Sequence, residues 1–140
     1  MTAQSHRMRW DMDPVLHIHP IGVVCKRSEK VWISIDAAYQ AGLSGLGDFS
    51  HIDVLYWLHL NDTSEDRKTL QVRPRKNPAN PLTGVFATRS PVRPNPIALT
   101  LCRILAVDNC RIYIEEIDAI GGSPVIDIKC HIPGRELRGT

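Results

Sequence analysis

Between Ser50 and Leu60 the sequence reads SHIDVLYWLHL, and apolar residues fall on every second position: Ile52, Val54, Tyr56, Leu58 and Leu60. A period of two puts these five on one face of a strand and His51, Asp53, Leu55, Trp57 and His59 on the other. The segment therefore belongs in a sheet with one face in a core and a partly polar second face. Other stretches carry the same signature in shorter form. From Val15, VLHIHPIGVVCK predicts a strand interrupted near Pro20, and KVWISI (Lys30–Ile35) predicts a second. LQVRP and GVFAT follow, then IALTLCRILAV and CRIYIEEI joined at Asp108-Asn109 as a hairpin, and finally PVIDIKCHI.

One helix is expected, in DAAYQAGLSGL, with Asp36 as its N-cap and Gly42 at its end. Many short strands, a single short helix and no strand–helix–strand alternation imply a mainly β fold, a small and mostly antiparallel β-barrel. A chain of 140 residues holds one core of ordinary size. The expected organisation is a loose tail over residues 1–14 and one barrel domain over residues 15–140.

Composition excludes some classes of function. No apolar run approaches the roughly 18 residues of a membrane helix, and the first fifteen residues lack the apolar stretch of a secretory signal. A cytoplasmic protein is expected. Cys25, Cys102, Cys110 and Cys130 are widely spaced, without a Cys-x-x-Cys pair, which suits buried, reduced thiols. The formal net charge is only +2, yet the segment from Arg67 to Arg103 holds eight basic residues and no Asp or Glu. If that segment shares a surface, it creates a local positive field suited to phosphates.

Inside it lies the most unusual connector of the chain, Arg89-Ser90-Pro91-Val92-Arg93-Pro94-Asn95-Pro96. Each proline fixes its own φ, removes a backbone donor and holds the preceding residue extended, so Ser90, Arg93 and Asn95 are pre-set. Such a loop loses little entropy on binding. The guanidinium groups of Arg89 and Arg93 match carboxylates or phosphates, and Ser90 and Asn95 can serve the backbone or a ligand. The alternative is a turn stapled by its own arginines.

In IDAIGGSPVIDIK, Gly121-Gly122 opens backbone geometry closed to other residues, and Asp127 and Lys129 share one strand face, as a surface ion pair or as a pair under a ligand site. His17 and His19 share a face without a third ligand, so no metal is expected. His59 is expected at the end of a strand, where a loop opens. No nucleophile elbow, phosphate-binding glycine loop or dinucleotide fingerprint is present.

GVFATRSPVRPNPIALT, with GGSPVIDIK downstream and PIGVV and GLGDFSHIDVLYWLH upstream, resembles the TsaA/TrmO-like family of S-adenosylmethionine-dependent tRNA methyltransferases. The similarity runs from about Pro20 to Pro133. It implies a small barrel, a homodimer with the methyl donor near the subunit interface, and methylation of threonylcarbamoyladenosine beside the tRNA anticodon. Carried across by motif, S-adenosylmethionine would be contacted by His59, Leu60, Arg89, Leu99, Asp118, Ala119, Ile120 and Gly121. Asp118 or Asp127 would accept a proton, and Arg73, Ser90, Arg93, Asn95 and Lys129 would face the tRNA acceptor.

The chain departs from the family pattern in lacking a Pro-Arg-Gln element after the first strand and in carrying Gly121-Gly122-Ser123-Pro124 for Asp-Gly-Thr-Pro. It also stops near Thr140, without the C-terminal extension of longer members. Two other readings keep their place beside the first. One is a methyltransferase with a small-molecule acceptor, and the other is a non-catalytic barrel that binds an adenosyl ligand or RNA.

Overall fold

The computed structural model describes residues 14–134. The expected tail lies outside the described residues except for Pro14. Eight strands are formed: β1 (Gly22–Arg27), β2 (Lys30–Ile35), β3 (His51–Trp57), β4 (Gln71–Val72), β5 (Thr83–Gly84), β6 (Ile97–Asp108), β7 (Arg111–Ile114) and β8 (Pro124–Cys130). Six of them close a barrel in the order β1-β2-β7-β6-β3-β8, every pair antiparallel. β4 and β5 form a separate two-stranded ribbon. The expected mostly antiparallel barrel is therefore the fold.

Alternation decides which side chains fill it. Ile52, Val54 and Tyr56 of β3 point inward, and Val24, Ile33, Ile112, Ile114, Cys102 and Val125 meet them from the other strands. Most are β-branched, with the stiff χ1 and compact shape that suit the narrow interior of a small barrel. Each fully buried Ile or Val removes enough apolar surface from water to stabilise the fold by about 2 kcal/mol before entropy is counted. β6 is long enough to pair with β3 over Ile97–Arg103 and with β7 over Ile104–Asp108, shifting register between Ile104 and Ala106. Gly22 lies where β1 meets β2 and β8, and a Cβ there would collide with the Ser34 carbonyl.

Several local expectations are corrected. Val15–Ile21 is not a strand, so β1 begins only at Gly22 and His17 and His19 share no strand face. Asp36 does cap a helix, accepting from the Ala38 amide at 2.9 Å, but the helix over Ala37–Leu43 is 3-10, ends past Gly42 and buries none of its residues. The polar stretch after β3 folds into α1 (Ser64–Lys68), capped by Thr63 accepting from the Asp66 amide at 3.1 Å. GVFAT contributes only Gly84 to β5; Val85–Ala87 is a 3-10 turn. The hairpin β6–β7 forms as expected, with Asn109 in the left-handed region at φ 53°, which its short polar side chain tolerates.

Candidate functional site

The end of β3 and the starts of β6 and β8 surround one mouth of the barrel. Beyond Trp57 the chain leaves the sheet in a 3-10 turn, His59–Asn61, so His59 and Leu60 sit on a turn at the rim rather than on a continuing strand. The connection from β7 to β8 crosses nearby and is held from below. Buried Ser123 donates from Oγ to the Ile120 carbonyl at 2.8 Å, and its amide reaches the same oxygen at 3.2 Å. Gly122 adopts φ 92° and donates to the Val24 carbonyl at 2.8 Å. Lys26 Nζ donates to the Ile117 carbonyl at 2.9 Å.

These ties display Asp118, Ala119 and Ile120 toward the His59 turn. Together with Tyr56, Leu58, Leu60 and Asn61 they line a hollow of about 140 Å³. A second hollow of about 530 Å³ shares Tyr56, Leu58 and Asp118 with the first and is walled by Phe86, Arg89, Arg93 and Leu99. Asp118 thus stands where the two lobes join. Tyr56, at their common floor, lies 3.3 Å from the Thr100 hydroxyl.

The proline loop forms one wall of the larger lobe, and its polar groups are largely occupied in holding it. The Thr88 hydroxyl donates to the Val85 carbonyl at 2.9 Å and accepts from the Ser90 amide at 3.1 Å. Ser90 Oγ accepts from the Val92 amide at 3.1 Å. Arg93 Nη1 donates to the carbonyls of Ser90 at 2.9 Å and Thr88 at 3.3 Å. Arg67, which sequence reasoning had placed only within a basic segment, proves to be a strut. It donates to the Pro94 carbonyl at 2.7 Å, to Asn95 Oδ1 at 3.1 Å and to Asp62 at 3.0 Å, and lies over the Trp57 ring at 5.9 Å.

The two readings of this loop are therefore both present, divided among its residues. Arg93, Ser90 and Asn95 staple the turn, whereas Arg89 spends a single hydrogen bond, to the Leu99 carbonyl at 3.3 Å, and is otherwise exposed on the wall of the larger lobe.

Of the residues singled out by sequence, His59, Leu60, Asp118, Ala119 and Ile120 come together in one lobe and Arg89, Leu99 and Asp118 in the other. Gly121 continues the same connection. Asp127 and Lys129 are elsewhere. They pair with each other at 3.6 Å with side chains 51% and 69% exposed, and Asp127 lines a separate hollow beside the Ala37–Leu43 helix. Arg73 donates to the Asn80 carbonyl at 2.8 Å within the segment that joins the ribbon strands. The eight basic residues of the central segment do not act as one set. Arg67 and Arg93 hold the loop, and Arg103 faces Glu115 at 3.9 Å.

Four thiols are free, and burial, aided by Asp118 and Asp53, pushes that of Cys102 up to about 12. Among the described residues no group of three or more His, Cys, Asp or Glu is placed to hold a metal, and no helix is long and apolar enough to cross a membrane.

A barrel mouth with a two-lobed hollow, apolar on its floor and edged by one carboxylate and one exposed guanidinium, defines a small-molecule-binding barrel domain. The family model described as the tRNA-methyltransferase O N-terminal domain matches residues 15–136, and the chain belongs to that family. A probable S-adenosyl-L-methionine-binding protein of Methanocaldococcus jannaschii is 45% identical over 113 residues, which cover 81% of this chain and 90% of that protein. The human tRNA (adenine(37)-N6)-methyltransferase is 47% identical over 90 residues, 64% of this chain and only 20% of the human protein. The crystal structure of TrmO from Pseudomonas aeruginosa shares the fold, with a TM-score of 0.66 at 24% identity over 88% of this chain and 58% of that one.

Proposed function

We propose that this chain transfers the methyl group of S-adenosylmethionine to tRNA, at the carbamoyl-linked amine of threonylcarbamoyladenosine beside the anticodon. The observation that carries the reading is the junction at Asp118. One carboxylate is shared by an apolar lobe and a lobe walled by Arg89. The chemistry of the residues fits an adenosyl sulfonium with an amino-acid tail. Leu58, Leu60, Ala119 and Ile120 offer apolar surface to a purine, Arg89 offers a forked donor to a carboxylate, and Asp118 offers acceptors to hydroxyls or an ammonium.

S-Adenosylmethionine, when bound, supplies a methyl group on a positively charged sulfur that is its own leaving group. The protein's work is then position, exclusion of water and removal of one proton. Arg89 orients through its fork, on a loop whose staples leave little to reorganise. Asp118 is the proton acceptor in this reading, because Asp127 lines a different hollow and is paired with Lys129. Arg93, Ser90 and Asn95 act on the acceptor through the shape of the loop that they hold.

The reading includes a homodimer and a cytoplasmic location. The homodimer is supported by the outer face of β6, where Ile97, Leu99, Leu101 and Leu105 are exposed, and by Phe86 beside the cavity, 81% exposed. An apolar strip of this kind at the edge of the pocket suits burial against a second copy.

The test is calorimetry of S-adenosylmethionine binding together with turnover on tRNA carrying or lacking threonylcarbamoyladenosine. Donor binding, with its demethylated product released only on modified tRNA, supports the proposal. Turnover indifferent to RNA shifts the acceptor to a small molecule, and binding without turnover on any pool leaves a binding module.

A further inference from the structure

Another hollow, of about 700 Å³, lies apart from the two-lobed site on the outer wall of β1, β2 and β7. It is lined by Arg27, Lys30, Trp32, Arg111 and Tyr113, with Ser28 and Glu29 on the turn between β1 and β2. We propose that this hollow binds single-stranded RNA, one base stacking on its aromatic and guanidinium layers while Arg27 and Lys30 hold the flanking phosphates. The inference rests on the reading of tRNA as the acceptor.

Three observations carry it. Pairing of Trp32 with Tyr113 across β2 and β7 sets the two rings side by side, centroids 6.0 Å apart, on the face opposite buried Ile33, Ile112 and Ile114. Arg111 then lies over the Trp32 ring at 4.9 Å, its Nη1 donating to the Tyr113 hydroxyl at 3.3 Å, so that an exposed guanidinium is held over the ring. Aromatic rings and guanidinium planes are the groups on which unstacked nucleobases stack. Finally, Arg27 and Lys30 are directly paired at the end of the β1–β2 hairpin and exposed, so three cations face one acid, Glu29. Phosphate contacts from such a group supply affinity that falls with salt.

Position makes the hollow useful to the reaction. The end of β1 abuts the connection that presents Asp118. Lys26 holds the Ile117 carbonyl at 2.9 Å, and a Cβ on Gly121 would stand 3.8 Å from Lys26 Cβ. A strand of RNA lying on the wall therefore runs toward the mouth where the donor lobe opens. None of these cations belongs to the acid-free central segment; β-pairing alone brings Arg111 to Arg27 and Lys30.

The experiment measures binding of an unmodified tRNA and of adenosine monophosphate to the full chain and to R27Q/R111Q and W32S, each across a range of salt. Donor calorimetry on every variant serves as the control for a folded barrel. The expected result is at least a tenfold loss of tRNA affinity in both variants, a log–log salt slope lower by about two in the double variant, and donor affinity unchanged. Full tRNA affinity in R27Q/R111Q, or a mononucleotide that binds this wall as tightly as tRNA, overturns the inference and leaves the proposed reaction standing. Absence of binding of this unmodified tRNA by the unaltered chain overturns the inference, while the proposed reaction is tested separately on tRNA carrying threonylcarbamoyladenosine. If W32S loses donor affinity through misfolding, W32F decides, because it keeps a ring in place and is expected to retain at least half of the tRNA affinity.

Discussion

The guanidinium of Arg67 donates through Nε to the Pro94 carbonyl at 2.7 Å, joining α1 to the middle of the proline loop. The same side chain reaches Asn95 and Asp62. A loop poor in backbone donors is thereby held by a donor borrowed from another element. Arg67→Ala should cost about 1–2 kcal/mol in urea denaturation, since it removes charge-assisted bonds from a side chain that is only partly buried. It should also weaken donor binding, though no part of Arg67 lines either lobe. Lysine at this position, a point charge without a fork, should restore less than half of the loss.

Arg89 and Asp118 line the larger lobe, where the donor is proposed to bind, and contribute little to the core. Arg89→Ala should keep the melting temperature within a degree or two and lower S-adenosylmethionine affinity about tenfold or more, about 1.4 kcal/mol. Asp118→Asn, equal in shape, should lower turnover more than donor binding if the carboxylate takes the proton. Calorimetry and single-turnover kinetics separate the two effects.

The apolar strip on β6 gives the proposed dimer a direct check. Leu101→Lys and Leu105→Lys point outward and leave the core untouched. In sedimentation, either should shift the protein toward the monomer. A monomer that binds the donor with full affinity would show that each site is complete within one chain.

Gly22 faces the Ser34 carbonyl across the β1–β2 pair with no room for a side chain. Gly22→Ala should destabilise the barrel by about 1–3 kcal/mol, because backbone rather than a flexible side chain must move. Gly47→Ala, where open space surrounds the position, should be nearly neutral by the same denaturation measurement.

Burial holds the Cys102 thiol neutral up to about pH 12, against 9.0 for the unburied group. In the unfolded chain the thiol ionises first, so its contribution to stability is complete below about pH 9 and is lost as pH rises from 9 toward 12. Cys102→Ala should flatten the fall in stability over the accessible part of that window. At pH 8 in the native protein, a thiol-alkylating reagent should leave Cys102 unlabelled while Cys25, Cys110 and Cys130, all partly exposed, react.

Local pattern and tertiary placement divide the explanation of this protein unevenly. Alternation from His51 to Trp57, the KVWISI strand and the Asp108–Asn109 hairpin were legible because strand faces have a period of two and turns have their own chemistry. VLHIHP misled because apolar residues before a proline look extended whether or not they find a partner strand. GVFAT misled in the same way, its apolar residues folding into a 3-10 turn beside a two-residue strand.

By itself the sequence determined that the chain makes a small antiparallel barrel, that the Arg89–Pro96 loop is stiff, and through its motifs to which family the chain belongs. Those properties are local, set by side-chain period, by proline geometry and by runs of identical residues. Only the tertiary structure decided which candidates share a cavity. Asp118 and Asp127 were equal candidates for the proton acceptor in the sequence and stand at different hollows, and Arg93 proved a staple while Arg89 stayed exposed on the wall of the larger lobe. It likewise laid Arg111 over Trp32, because sheet register and barrel closure join positions that no spacing along the chain relates.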